Sequence, residues 1–266
     1  MATNESLEQK LVLISGASGG IGREYFQYYA TQKNTRCYGI GRRKSNNARH
    51  IQLDLSNKDS AETFIRDIDL KEISDVVYLH GVGLDKFEED GIPHIDEDKD
   101  GIDDEVYQSN VQTFLNVANP LIEKSKTLQK PVHIVNIGSI SDVFIVPLWQ
   151  SFSKSKNLIR QYMKTKSNLL VNSIFLNVSS VDMDHEKYGR PFADTKYWLK
   201  PNELCQRSLP ILNQRYPHIN YVEVDIFNPS PDYTEDYFTN IQKLLAKWKH
   251  DMGYTDNETA PKGTRI

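Results

Sequence analysis

Short apolar runs alternate with amphipathic stretches along most of this chain. The runs Leu11–Ser15, Arg36–Ile40, His50–Leu55, Val76–His80, Pro131–Gly138, Leu169–Leu176 and Tyr221–Ile226 are bounded by turn residues, which predicts buried strands. Between them, Arg23–Thr31, Lys58–Leu70, Val106–Lys124, Ser151–Ser167, Pro201–Asn213 and Tyr233–Lys249 carry helical periodicity. Strands alternating with helices over short links predict an α/β fold: a doubly wound parallel sheet of about seven strands with helices on both faces. There is no internal repeat and no linker, so residues 1–266 read as one domain. Three stretches break the pattern: a very acidic loop over 85–105, an irregular, aromatic-rich excursion over 178–199 that is expected to cover the substrate site, and a polar, loosely ordered tail over 251–266.

On such a sheet, ligands bind at the carboxyl ends of the strands. Gly16, Arg42, Asp54, Gly81 and Ser139 all fall at predicted strand ends. The first strand runs into Ser15-Gly16-Ala17-Ser18-Gly19-Gly20-Ile21-Gly22 and then into a helix. Strand, glycine turn and helix N-terminus together suit a pyrophosphate, because glycine lets backbone approach the anion and free N–H groups face it. The second strand ends in Gly41-Arg42-Arg43, where a carboxylate would select NAD and an arginine can fork onto a 2′-phosphate. This arrangement predicts a Rossmann-type fold that binds NADPH.

Composition narrows the partners. The net charge is −4 with no basic block, which argues against nucleic acid, and no apolar run is long enough to span a bilayer. The polar, acidic stretch Met1–Lys10 does not read as a signal peptide, and Cys37 and Cys205 are the only cysteines, so reduced thiols and a cytoplasmic location are expected. In the acidic loop, Asp96, Asp98, Asp100 and Gly101 imitate the start of a calcium loop. The imitation fails at Asp103 and at Tyr107, which stands where a bidentate glutamate belongs, so no metal is expected.

Ser139 closes the fifth strand, and Phe152 and Lys156 lie four residues apart on one face of the next helix. A serine, a phenol and a lysine at these spacings make a proton-transfer site, yet position 152 has no hydroxyl. With these residues in place, the chain resembles the short-chain dehydrogenase/reductase family across nearly its whole length. Gly16, Gly20 and Gly22 match its Thr-Gly-x-x-x-Gly-x-Gly turn, with Ser15 in place of threonine. Asp54-Leu55 resembles its adenine-contacting pair, and His80-Gly81-Val82-Gly83 stands where Asn-Asn-Ala-Gly is usual. Asn110, Ser139 and Lys156 stand at three of its four catalytic positions, and Phe152 at the place of its catalytic tyrosine. Departures are Asp142 for a common glycine, Leu176-Asn177 for Pro-Gly, and Val181 for the threonine that helps hold the nicotinamide.

The resemblance implies hydride transfer between NADPH and a carbonyl. Ser139 would hold the substrate oxygen, a phenol at 152 would donate the proton, Lys156 would favour phenolate and bind ribose, and Asn110 would hold a water. Ser18, Ile21 and Arg43 join the expected cofactor contacts. Ser141, Leu148, Trp149 and Tyr188 join Ser139 in the expected substrate pocket. As written, the chain should bind cofactor and turn over poorly. It is either a Tyr→Phe variant of a carbonyl reductase, which is the favoured reading, or a natural cofactor-binding regulator. The whole chain is also similar to reductases of epilancin-type lantibiotic biosynthesis, which reduce an N-terminal pyruvyl group of a modified peptide to lactyl. A cationic peptide would suit the acidic loop. The family resemblance further implies a homodimer or homotetramer built on the helices bearing Asn110 and Lys156.

Overall fold

The computed structural model describes residues 9–84, 101–142, 149–214, 220–231 and 240–253. Seven parallel strands form one sheet in the order β3-β2-β1-β4-β5-β6-β7. They are β1 (Gln9–Ser15), β2 (Thr35–Gly41), β3 (His50–Gln52), β4 (Ile73–His80), β5 (Val132–Ile137), β6 (Val171–Val178) and β7 (Tyr221–Ile226). The expected Rossmann-type α/β architecture is therefore present.

Side chains alternate across each strand and build a core on both faces. Leu11 and Leu13 of β1 pack with Tyr78, Ile134, Phe175, Phe114 and Ile159 under α2 (Lys58–Asp67), α4 (Thr113–Leu128) and α5 (Gln150–Lys166). Val12 and Ile14 point the other way, onto Tyr25, Tyr29, Val77, Ile174 and Leu204 under α1 (Gly20–Ala30) and α7 (Pro201–Leu212), the latter following the short α6 (Asp184–Gly189). Cys37 and Cys205 are buried in this second core as free thiols. Burial pushes both thiols up to about 12.

Strand order reverses between β1 and β4, which opens a crevice above their carboxyl ends. There Ser15 pairs with His80, and the Gly81 N–H donates to the Ser15 carbonyl at 3.3 Å.

Three segments depart from the sequence reading. Strand β3 ends at Gln52, leaving Asp54 and Leu55 in a turn that Asp54 itself closes by accepting from the Ser56 N–H and Oγ. The helix bearing Asn110 begins earlier, because Asp103 caps it. The Asp103 carboxylate accepts from the N–H groups of Glu105 and Val106 at the start of α3 (Asp104–Val106). A π-helical turn, Tyr107–Gln112, then joins α3 to α4. At the far end, α8 (Ile241–Met252) runs into what the sequence assigns to the tail. Asp251 and Met252 are buried there because Asp251 ion-pairs inside the protein. The rest of the predicted tail, most of the acidic loop and residues 233–239 of the last predicted helix lie outside the described residues.

Candidate active site

The glycine turn owes its shape to close backbone approach. Gly16 has φ +72°, a left-handed conformation that side chains rarely adopt. A Cβ on Gly22 would sit 2.4 Å from the Gly16 carbonyl oxygen. The turn delivers Gly20 to the first position of α1, where helical N–H groups lack intrahelical partners and the first turn carries no acidic side chain. Such a terminus favours an anion.

Gly20, Ile21 and Gly22 line a cavity of about 240 Å³ together with Gly81, Ser139, Ser141, Trp149, Phe152, Lys156 and Val181. The cavity thus brings together the turn and three of the four catalytic positions read from the sequence. Asn110 is fully buried beside it. Its side-chain oxygen accepts from the Leu84 N–H at 2.6 Å, and its amide donates to the Leu84 carbonyl and to Ser155 Oγ, both at 3.0 Å. The side chain therefore clamps the segment that leaves β4.

Helix α5 presents Phe152 and Lys156 one turn apart on the cavity side. Lys156 is 2 % exposed, and its Nζ donates to the carbonyls of Val82 (3.1 Å) and Ile137 (3.2 Å). That ammonium lies 5.5 Å from the centre of the Phe152 ring. Ser139 Oγ lies 2.8 Å from Ser141 Oγ and accepts from the Ser141 N–H, which fixes the hydroxyl.

His80 stands behind the site. Its Nε2 meets the Asn110 carbonyl at 3.2 Å, so Nε2 carries the proton and Nδ1 accepts from Tyr78 OH (2.9 Å) or Ser15 Oγ (3.0 Å). Full burial and the nearby Lys156 charge hold its pKa well below the ordinary histidine value, so the ring is neutral.

Other predicted residues are spread more widely. Ser18, Arg42, Arg43 and Asp54 are exposed, whereas Leu55 is buried in the core. Tyr188 is half exposed and does not line the cavity, and Leu148 lies outside the described residues. Sequence reasoning missed Glu186, Arg190, Leu244, Lys247 and Trp248, which line the outer wall. Their positions depend on how the excursion and α8 dock, and no local pattern carries that information. Among the described residues, no His/Cys/Asp/Glu group could hold a metal, and no helix is long and apolar enough to cross a membrane.

The model of the family described as short chain dehydrogenase matches residues 10–182, more than half of the sequence. The chain belongs to the short-chain dehydrogenase family. Solved structures of this fold are similar to it at low identity. The ligand-free aldohexose dehydrogenase of Thermoplasma acidophilum is 18 % identical with a TM-score of 0.64, over 83 % of this chain and 94 % of that one. A serine dehydrogenase complexed with NADP+ is 16 % identical with a TM-score of 0.63, over 82 % and 94 %. A short chain dehydrogenase from Burkholderia cenocepacia, in complex with NADP, is 17 % identical with a TM-score of 0.66, over 91 % and 98 %. No match was found among curated protein sequences. Membership in this oxidoreductase family gives the cavity its frame: the turn at Gly16–Gly22 at one end, and Ser139, Phe152 and Lys156 at the other.

Proposed function

We propose that this short-chain dehydrogenase is an NADPH-dependent carbonyl reductase in which Phe152 stands where the proton-donating tyrosine belongs. The observation that carries this reading is the single cavity shared by Gly20–Gly22, Ser139, Phe152 and Lys156. Gly20, Ile21 and Gly22 would hold the pyrophosphate, Lys156 and Val181 would flank the nicotinamide riboside, and Arg42 and Arg43 would meet the 2′-phosphate. When bound, NADPH supplies a hydride to the carbonyl carbon, and reduction is completed by one proton delivered to the oxygen.

The protein's own part is the proton and the oxygen. Ser139 Oγ, already oriented by Ser141, donates to the substrate oxygen as charge develops. A phenol at 152 has an ordinary pKa of about 10 and needs a cation to titrate near neutrality. Lys156 supplies that cation, held against the ring position by two carbonyls. Without the hydroxyl, general acid catalysis worth about 10²–10⁴-fold, or roughly 3–5 kcal/mol of barrier, is lost while the ring still fills its place. We read Phe152 as a substitution for tyrosine. The substrate reading is an α-keto acyl group at the N-terminus of a lantibiotic-type peptide, reduced from pyruvyl to lactyl. Self-association through α4 and α5 and a cytoplasmic location belong to the same reading.

Phe152→Tyr tests it. The variant should oxidise NADPH with ketones or α-keto acyl peptides at least about 100-fold faster than the parent chain. Absence of NADPH oxidation with every ketone, aldehyde and keto acid sinks the reductase reading. One observation favours a second reading, a natural NADPH-responsive regulator: the Phe152 ring is well accommodated, 5.7 Å from Trp149 and under the Lys156 cation. A phenylalanine codon at position 152 of the source gene selects the regulator, and a tyrosine codon selects the reductase.

A further inference from the structure

The chain has three tryptophans, and all three line the same cavity: Trp149, Trp198 and Trp248. They come from the segment before α5, the excursion after β6, and α8. Trp149 and Trp248 meet edge to face with ring centres 4.3 Å apart, and Trp149 lies 5.7 Å from the Phe152 ring. Trp198 is joined to them through Arg190, whose guanidinium sits 4.9 Å from the Trp198 ring and 4.1 Å from the Trp248 ring. Arg190 is held by the Asp251 carboxylate at 2.8 Å and by Ser180 Oγ at 2.8 Å. The Phe192 N–H also donates to the Asp251 carbonyl, tying the excursion to the end of α8. The part of the wall beside position 152 is therefore aromatic and fixed from behind: Trp149 is 4 % exposed and Trp248 6 %.

In the reductase reading, a carbonyl oxygen between Ser139 and residue 152 would turn one of its two flanking groups toward Trp149, 5.7 Å from the ring at 152, and Trp248 packed on it. Indoles locked by each other and by a buried guanidinium cannot swing away cheaply, since closely packed interiors resist added volume. We infer that Trp248, buttressed by Trp149 and Arg190, is a specificity-determining residue that limits the substrate to ketones with one small, methyl-sized flank. This rests on the reductase reading for turnover, although the wall itself also governs binding.

The test uses Phe152→Tyr as the active background and a series of methyl, ethyl, isopropyl and phenyl ketones sharing the same second flank. The background enzyme should prefer methyl to phenyl by about 100-fold or more in kcat/KM, and Trp248→Ala should cut that preference at least about 10-fold by lowering KM for the larger ketones. Trp248→Phe, which keeps a ring, should restore most of it. NADPH binding, read by quenching of the remaining tryptophans, should change less than about three-fold, which certifies a folded cofactor site. If Trp248→Ala keeps NADPH binding and methyl-ketone turnover yet leaves the preference unchanged, the inference is overturned. If Phe152→Tyr reduces nothing, the reductase reading fails instead. The wall is then judged from ketone titrations of the NADPH complex, where methyl must again bind tighter than phenyl and Trp248→Ala must level the two.

Discussion

Removing the Asp251 carboxylate should loosen α8 without unfolding the sheet. Asp251 is 1 % exposed and Arg190 4 %, so their 2.8 Å contact is a buried ion pair. Breaking such a pair by deleting one partner costs roughly 3–5 kcal/mol, because the other charge stays buried and uncompensated. Here Glu186 remains 3.8 Å from Arg190, which places Asp251→Ala near the lower figure, about 3 kcal/mol. The penalty need not reach the whole protein. Helix α8 packs on the excursion and on Trp149 rather than within the sheet, so the least costly response is local undocking. A loss of about 3 kcal/mol raises the undocked population roughly 100-fold. Hydrogen exchange of residues 241–252 should accelerate by that order, and trypsin should cut faster at Lys247 and Lys249. The urea midpoint of the sheet should move little. Exchange in α8 at the parent rate, with Asp251→Ala folded, refutes the pinning argument. So does a sheet midpoint that falls in step with the helix, since α8 would then be part of the cooperative core.

Other expectations follow from single contacts. Gly22→Ala should abolish NADPH binding by fluorescence titration, because its Cβ meets the Gly16 carbonyl oxygen at 2.4 Å and the turn must deform. Arg42→Ala should weaken NADPH at least about 10-fold more than NADH if Arg42 reads the 2′-phosphate. His80 gives a pH signature: its folded pKa is depressed by burial, so below about pH 6.5 the unfolded chain binds a proton that the native chain refuses. Stability is therefore full above that pH and falls by up to about 1.4 kcal/mol per unit as pH drops. In denaturant titrations, His80→Asn should flatten the slope between pH 6.5 and 5; an unchanged slope would mean that another group carries it.

What could be read from the sequence follows from how local the cause is. Leu11–Ile14 announces a two-sided strand because both faces of the sheet are covered, and the structure needs every one of those side chains in a core. Gly16 and Gly22 are legible for a similar reason: their constraint is a backbone contact across six residues, written in the glycines themselves. The pair Phe152 and Lys156 needs only helical geometry. The misread boundaries show where locality ends. His50–Leu55 looks like one strand, but Asp54 prefers to close a turn on Ser56, and that competition is decided by a side chain rather than by hydropathy. Asp103, read as a failed calcium ligand, is a helix cap, a use that periodicity cannot separate from an ordinary acidic loop. The outer wall of the cavity lies furthest from local cause. Trp149, Arg190, Trp198, Trp248 and Asp251 are spread over a hundred residues; the sequence places Trp149 in the pocket and Trp198 in an excursion over it, but gives no sign of Arg190, Trp248 or Asp251. Only docking of α8 against the excursion turns Asp251 from a tail residue into the counter-ion of Arg190. The glycine-turn end of the cavity is thus specified by short-range backbone demands, whereas its outer wall is assembled from long-range contacts.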